Sequence, residues 1–142
     1  MIVLDTNVLV YAVGGPHPLA APCRALVEAI RDRRIEATTA PEVIQEFVHV
    51  AVRRRPRSVV VALAGAYADL LVPLQPIEEP HLRRGLRVFL DYPDLDAFDA
   101  LLAGTVLEEG LDALVSADAH LQVVNGLDVI VPGTSRFDDL LG

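Results

Sequence analysis

The sequence predicts an α/β domain built on a mainly parallel sheet, and three observations carry that prediction. Short apolar runs with β-branched members occur at residues 1–4, 113–116 (ending in Ser116) and 129–131, as expected of strands buried on both faces. Between them lie stretches whose apolar residues return at helical spacing. No internal repeat, low-complexity segment or linker divides the 142 residues, a length that suits one domain spanning 1–142.

The elements follow in order. Residues 1–4 are the first strand, which ends abruptly at Asp5. Residues 7–13 predict a short helix closed by Gly14, Gly15 and Pro16. Over residues 19–34, Leu19, Cys23, Leu26, Val27 and Ile30 mark one face of an amphipathic helix, and Arg24, Glu28, Arg31 and Asp32 the other. Residues 35–38 read as a brief second strand. Thr39, Ala40, Pro41 and Glu42 match a capping box with proline in the first turn. The helix starting there turns Val43, Ile44, Phe47, Val48 and Val52 inward and stops in Arg53, Arg54, Arg55 and Pro56. Residues 58–71 form a more apolar helix, suited to the core and also a candidate for burying a partner surface. Residues 74–77, bracketed by Pro73 and Pro76, read as an edge strand. A helix over 80–90 carries Arg83, Arg84 and Arg87 on one face. Asp96 to Asp99 open another helix, which stops at Gly110. The strand at 113–116 is followed by Asp118 and a helical turn to Val123. The last strand, 129–131, precedes a terminal turn at 135–141.

Composition narrows the function. With 52% hydrophobic and 23% charged residues, the chain is too apolar to be disordered. Its longest apolar stretch, residues 59–68, is about half of the ~20 residues a membrane span needs. A formal charge of −8 argues against coating nucleic acid by bulk electrostatics. That charge is unevenly placed: residues 1–90 hold 11 arginines against 9 acids, and residues 91–142 hold 1 against 11. All 12 basic residues are arginine, which excludes a Walker lysine, Schiff-base chemistry and a lysine base. Cys23 is solitary, so no intrachain disulfide or cysteine zinc site is expected. No basic, apolar leader opens the sequence, and a cytoplasmic protein is expected.

Ligands of open parallel sheets collect outside the carboxyl ends of the strands, so acids at those places carry the most information. Asp5 directly follows the first strand, and Asp118 follows the strand ending near Ser116. Asp99 stands in the first turn of a helix, between Phe98 and Ala100. Glu46 lies one turn into the third helix, among Ile44, Phe47 and Val48. Converging carboxylates in apolar surroundings repel one another and call for a cation. Oxygen ligands without clustered His or Cys select a hard ion, Mg²⁺ or Mn²⁺. Taken singly, each acid also has a plainer reading. Asp5 suits an Asx turn, Asp99 a helix dipole, Glu46 an arginine pair, and Asp96 and Asp118 caps. The signal is the set.

The ordered combination of Asp5-Thr6-Asn7, Glu46, Phe98-Asp99-Ala100-Leu101-Leu102-Ala103 and Ser116-Ala117-Asp118 resembles the PIN-domain nucleases, in particular the small toxins of VapBC toxin–antitoxin pairs. The resemblance spans essentially the whole chain. It implies a three-layer α/β/α PIN-like fold and a metal-dependent endoribonuclease, with Asp5, Glu46, Asp99 and Asp118 holding Mg²⁺ or Mn²⁺ and Thr6, Asn7 and Ser116 in support. Two departures stand out: Ser116 where threonine is common, and an extra acid at Asp96, which is either a cap or part of the site. The resemblance further implies an RNA substrate, a cognate antitoxin whose segment covers the acids, and a homodimer.

Polyanionic substrate must still approach four negative charges. Arg53, Arg54, Arg55 and Arg57, or the second group Arg83, Arg84 and Arg87, could guide its phosphates; each group also reads as a solvated helix end or face. His17, His49, His81 and His120 lack a ligand spacing, and Tyr11, Tyr67 and Tyr92 are too scattered for a stacking platform, which leaves them as core or rim residues. A haloacid-dehalogenase phosphatase or a receiver domain also places an Asp after its first strand, but each wants a lysine, which is absent. The remaining rivals are an inactive PIN-like binding module and an RNA-processing nuclease without an antitoxin.

Overall fold

The computed structural model describes residues 1–142. Four short strands, β1 (Ile2–Leu4), β2 (Ala37–Thr38), β3 (Ala113–Val115) and β4 (Val129–Ile130), form one sheet. Its order is β2-β1-β3-β4, and every pairing is parallel. Helices cover both faces, giving the expected three-layer α/β/α arrangement. They are α1 (Thr6–Val13), α2 (Ala20–Arg31), α3 (Pro41–Ala51), α4 (Arg57–Leu71), α5 (Glu79–Asp91), α6 (Ala97–Glu109) and α7 (Ser135–Leu141). A five-residue 3₁₀ turn, Ala119–Val123, follows β3. No helix is long and apolar enough to cross a membrane.

The unbroken apolar strand sequences have a physical cause. All three residues of β1 and all three of β3 are buried, because helices cover the sheet on both sides. From β1 the chain crosses to β2 on one side, then returns to β3 on the other. The carboxyl end of β1 is therefore a topological switch point, and a crevice opens there.

Three expectations fail. Residues 74–77 are not a strand: Pro73 and Pro76 cannot donate to a ladder, and one backbone bond, Gln75 N–H to the Thr39 carbonyl (3.0 Å), ties the segment to β2's end. Thr39 caps nothing, since α3 begins after Ala40 without a side-chain cap. The Thr39 hydroxyl donates instead to the Leu4 carbonyl (2.7 Å), bracing the end of β1. The second helix also stops earlier than its pattern, at Arg31. Arg33 takes the left-handed conformation (φ 60°), and the Arg34 N–H closes back on the Ala29 carbonyl.

Helix α4 buries Val60, Ala64, Tyr67 and Leu71 and leaves Val59 and Val61 exposed. Helices α5 and α6 cross with their backbones in contact. A Cβ on Gly104 would stand 2.4 Å from the Gly85 nitrogen and 2.6 Å from its Cα. His81 fastens the same pair, accepting from the Glu78 N–H at Nδ1 (2.9 Å) and meeting Glu109 through Nε2 (2.5 Å).

Candidate active site

Asp5 is the hinge of the site. Its N–H extends the sheet by bonding the Val115 carbonyl (3.0 Å), and its side chain caps α1 by accepting from the Thr6 N–H (2.7 Å). Its second carboxylate oxygen accepts from the Ser116 hydroxyl (2.7 Å) and the Asn7 amide (3.3 Å). Asn7 reaches across to the next strand, where its carbonyl oxygen accepts from the Ala117 N–H (3.0 Å). The Ser116 oxygen also accepts from the Asp118 N–H (3.0 Å), and an Asp118 oxygen accepts from the His120 N–H (2.9 Å). One hydroxyl thus orients the acids that follow both β1 and β3. A serine provides this as well as a threonine.

The helices bring the other two. Asp99 sits in the first turn of α6, where its N–H donates to the capping Asp96 side chain (2.8 Å). Glu46 projects from the second turn of α3. Asp5, Glu46, Asp99 and Asp118 all line one open pocket of about 270 Å³, together with Thr6, Asn7, Val10, Tyr11 and Val50. A deeper hollow beside it adds Glu42, Phe98 and Ile77 to the walls. The much larger cavity of about 560 Å³, lined by residues of α2 and α4 and the end of α1, touches none of these acids.

The electrostatics are those of carboxylates without an arginine partner; the His120 ring reaches Asp118 through Nδ1 (3.3 Å). Burial pushes the Asp5 carboxyl above its ordinary value, with Ser116 and the Thr6 N–H opposing and the charges of Asp118 and Asp96 adding. Glu46 is raised by burial, then by Asp5 and Asp96. Asp99 is pushed up to about 7 by burial and then by the charges of Asp5, Asp96 and Asp118. The carboxylates line the pocket without closing on a common point, and no three such groups stand at metal-ligand spacing. Two buried oxygens, Thr6 Oγ1 and Glu42 Oε2, have no hydrogen-bond partner.

Asp96 is the cap that its sequence position allowed, and it lines neither of the two acidic hollows. It is exposed and caps α6, and its charge bears on Asp5, Glu46 and Asp99. Glu42 and Tyr11 were not foreseen as site residues. Glu42 sits one turn before Glu46 on the same helix, which is the signal that would have found it. Tyr11 lines the acid pocket and stacks on His17 (centroids 4.4 Å apart). Tyr67 is core, donating to the Leu9 carbonyl (2.7 Å).

The profile of the PIN domain matches residues 2–127 of this sequence. The chain belongs to the PIN-domain family. Among PIN-domain proteins it is 48% identical to ribonuclease VapC7 of Mycobacterium tuberculosis, over 100% of this chain and 99% of that one. The fold is similar to that in the crystal structure of VapBC2 from Rickettsia felis bound to a promoter DNA fragment (TM-score 0.72, 14% identity, 92% of this chain and 98% of that one). It is also similar to VapBC-5 of M. tuberculosis, a member of the VapBC family of toxin–antitoxin systems (TM-score 0.59, 18% identity, 93% and 97%).

The arginines divide clearly. Arg83 pairs with Glu79 (3.5 Å) and Arg84 with Glu108 (3.2 Å), on a face that shares no residue with the acid pocket. Arg55 donates to the Val13 carbonyl, fixing the end of α1 to the segment after α3. Arg53, Arg54 and Arg57 are exposed.

Proposed function

We propose that this PIN domain is a divalent-cation-dependent endoribonuclease and the toxin of a type II toxin–antitoxin pair. The observation that carries the reading is the convergence of Asp5, Glu46, Asp99 and Asp118 from four separate segments on one pocket, with no cation among the side chains that line it. The donor set fits a hard ion: it is oxygen only, Asp5, Glu46 and Asp99 are raised by burial and then by neighbouring carboxylate charge, and an unpartnered buried threonine hydroxyl lies beside it. Those four acids would hold Mg²⁺ or Mn²⁺. When bound, the cation supplies a readily deprotonated water and positive charge against the phosphate oxygens.

The chain's own residues do the rest. Ser116, Asn7 and the Thr6 N–H hold the Asp5 carboxylate in one orientation, so its position does not depend on solvent. Ser116 and His120 fix Asp118, and Asp96 sets the first turn that presents Asp99. No protein nucleophile is required. The 48% identity to a ribonuclease supports RNA as the substrate class. The same likeness, with the fold it shares with toxin–antitoxin complexes, supports a cognate antitoxin as partner; a cytoplasmic location and a homodimeric state belong to the same proposal.

Incubating labelled RNA with the purified protein tests this reading. Cleavage should need Mg²⁺ or Mn²⁺, stop in EDTA, and fall by at least about 100-fold in Asp5→Asn and Asp99→Asn. Cleavage in EDTA, or full activity in both variants, overturns it; failure of the wild type to cleave with either ion points to a binding module.

A further inference from the structure

Resting on the ribonuclease reading, we propose that the cleft between the end of α1 and the end of α3 is the subsite for the RNA nucleotides flanking the scissile phosphate, with Arg53 and Arg54 taking their phosphates. This cleft holds about 380 Å³, and Gly14, Gly15 and the three arginines Arg53, Arg54 and Arg55 line it around an apolar floor that includes Phe47. Val10 and Val50 wall both this cleft and the acid pocket. A strand leaving the acids across those two valines enters the arginines directly.

The chemistry on the two sides is complementary. Single-stranded nucleic acid is held by a cationic groove for its backbone and by apolar surface for its bases. Four carboxylates repel the very phosphate they are to cut, so an adjacent source of positive charge is needed to offset that repulsion. Only some of the arginines are available. Those within ion-pairing distance of acids are Arg34, Arg83, Arg84 and Arg136. Arg55 is committed to the Val13 carbonyl and forms a wall. Arg53 and Arg54 are exposed, line the cleft and have no acid to satisfy them. On the opposite wall, a Cβ at Gly15 would meet nothing within 4 Å, and the glycine leaves bare backbone facing the opening.

The test is binding of a fluorescein-labelled single-stranded RNA of about ten nucleotides, followed by anisotropy between 50 and 200 mM salt. Asp99→Asn protein is used so that the RNA stays intact. Adding Arg53→Gln and Arg54→Gln should weaken binding roughly tenfold and lower the slope of log Kd against log salt by about 1.4, the loss of two single-strand phosphate contacts. Arg83→Gln with Arg87→Gln should leave both values unchanged. An unchanged slope in the Arg53/Arg54 variant, or an equal loss in the Arg83/Arg87 variant, overturns the assignment. Wild-type hydrolysis of bis(p-nitrophenyl) phosphate in Mn²⁺ against EDTA is read separately. Its absence would remove the ribonuclease reading, while the binding series still decides whether this cleft holds RNA.

Discussion

Replacing Asp99 by asparagine should make the cation-free protein more stable, by an amount that grows as pH rises from about 4 to about 7. The folded Asp99 carboxyl titrates at about 7 against an ordinary value of 3.8. Between those values the native state holds a proton that the unfolded chain has released, so stability falls as pH rises. The fall is complete above the folded value and absent below the unfolded one. One proton sets a ceiling of about 1.4 kcal/mol per pH unit, or about 4 kcal/mol over the interval. Asp99 is partly exposed and its neighbours can move apart, so about 1–2 kcal/mol is the expected loss at pH 8. Asparagine keeps the shape and removes the charge. Urea unfolding in EDTA should therefore show Asp99→Asn about 1–2 kcal/mol above wild type at pH 8 and level with it near pH 4. Adding Mn²⁺ at pH 8 should raise the wild type by about 3 kcal/mol at a hundredfold excess over Kd and the variant by less. A variant no more stable than wild type at pH 8, or equally favoured at both pH values, would refute the account of uncompensated charge.

Other substitutions probe separate parts of the architecture. Gly104→Ala should cost about 2–4 kcal/mol in urea unfolding, because its methyl group meets the α5 backbone at Gly85 and not a side chain that can turn aside. Ser116→Ala removes the hydroxyl shared by Asp5 and Asp118. It should weaken Mn²⁺ binding by about 10- to 100-fold in calorimetry while the far-UV spectrum stays native. Arg55→Ala should lower stability by about 1–3 kcal/mol through the lost bond to the Val13 carbonyl. Its RNA salt dependence should match wild type, since this guanidinium is already occupied; a reduced slope would show that it contacts phosphate.

The parts legible in the sequence are those set by local pattern and one topological rule. Strands buried on both faces must be continuous apolar runs, so β1 and β3 were visible, and with them the positions of Asp5 and Asp118 at the carboxyl ends. Asp96 announced the start of α6 because a cap is a short-range device. What stayed hidden depends on partners distant in sequence. Thr39 reads as a cap until β1 is known to end beside it, offering the Leu4 carbonyl. Residues 74–77 have strand composition, yet Pro76 within them and Pro73 just before leave too few donors for a ladder. Gly85 and Gly104 look like weak points in two helices and are instead where those helices touch. Tyr11 reads only as a core or rim residue of the short first helix, and the approach of α3 and β3 makes it part of the acid pocket.

The acids are shared between layers that differ in how firmly they are held. Asp5 and Asp118 follow neighbouring strands tied by backbone bonds and by the Ser116 and Asn7 side chains, whereas Glu46 and Asp99 arrive on helices. Drawing α6 away from the sheet by a few ångströms would take Asp99 out of the pocket while the strand pairing that carries Asp5 and Asp118 stays whole. The site can therefore be taken apart in two ways, by a plug in the pocket or by a wedge that parts the helix from the sheet.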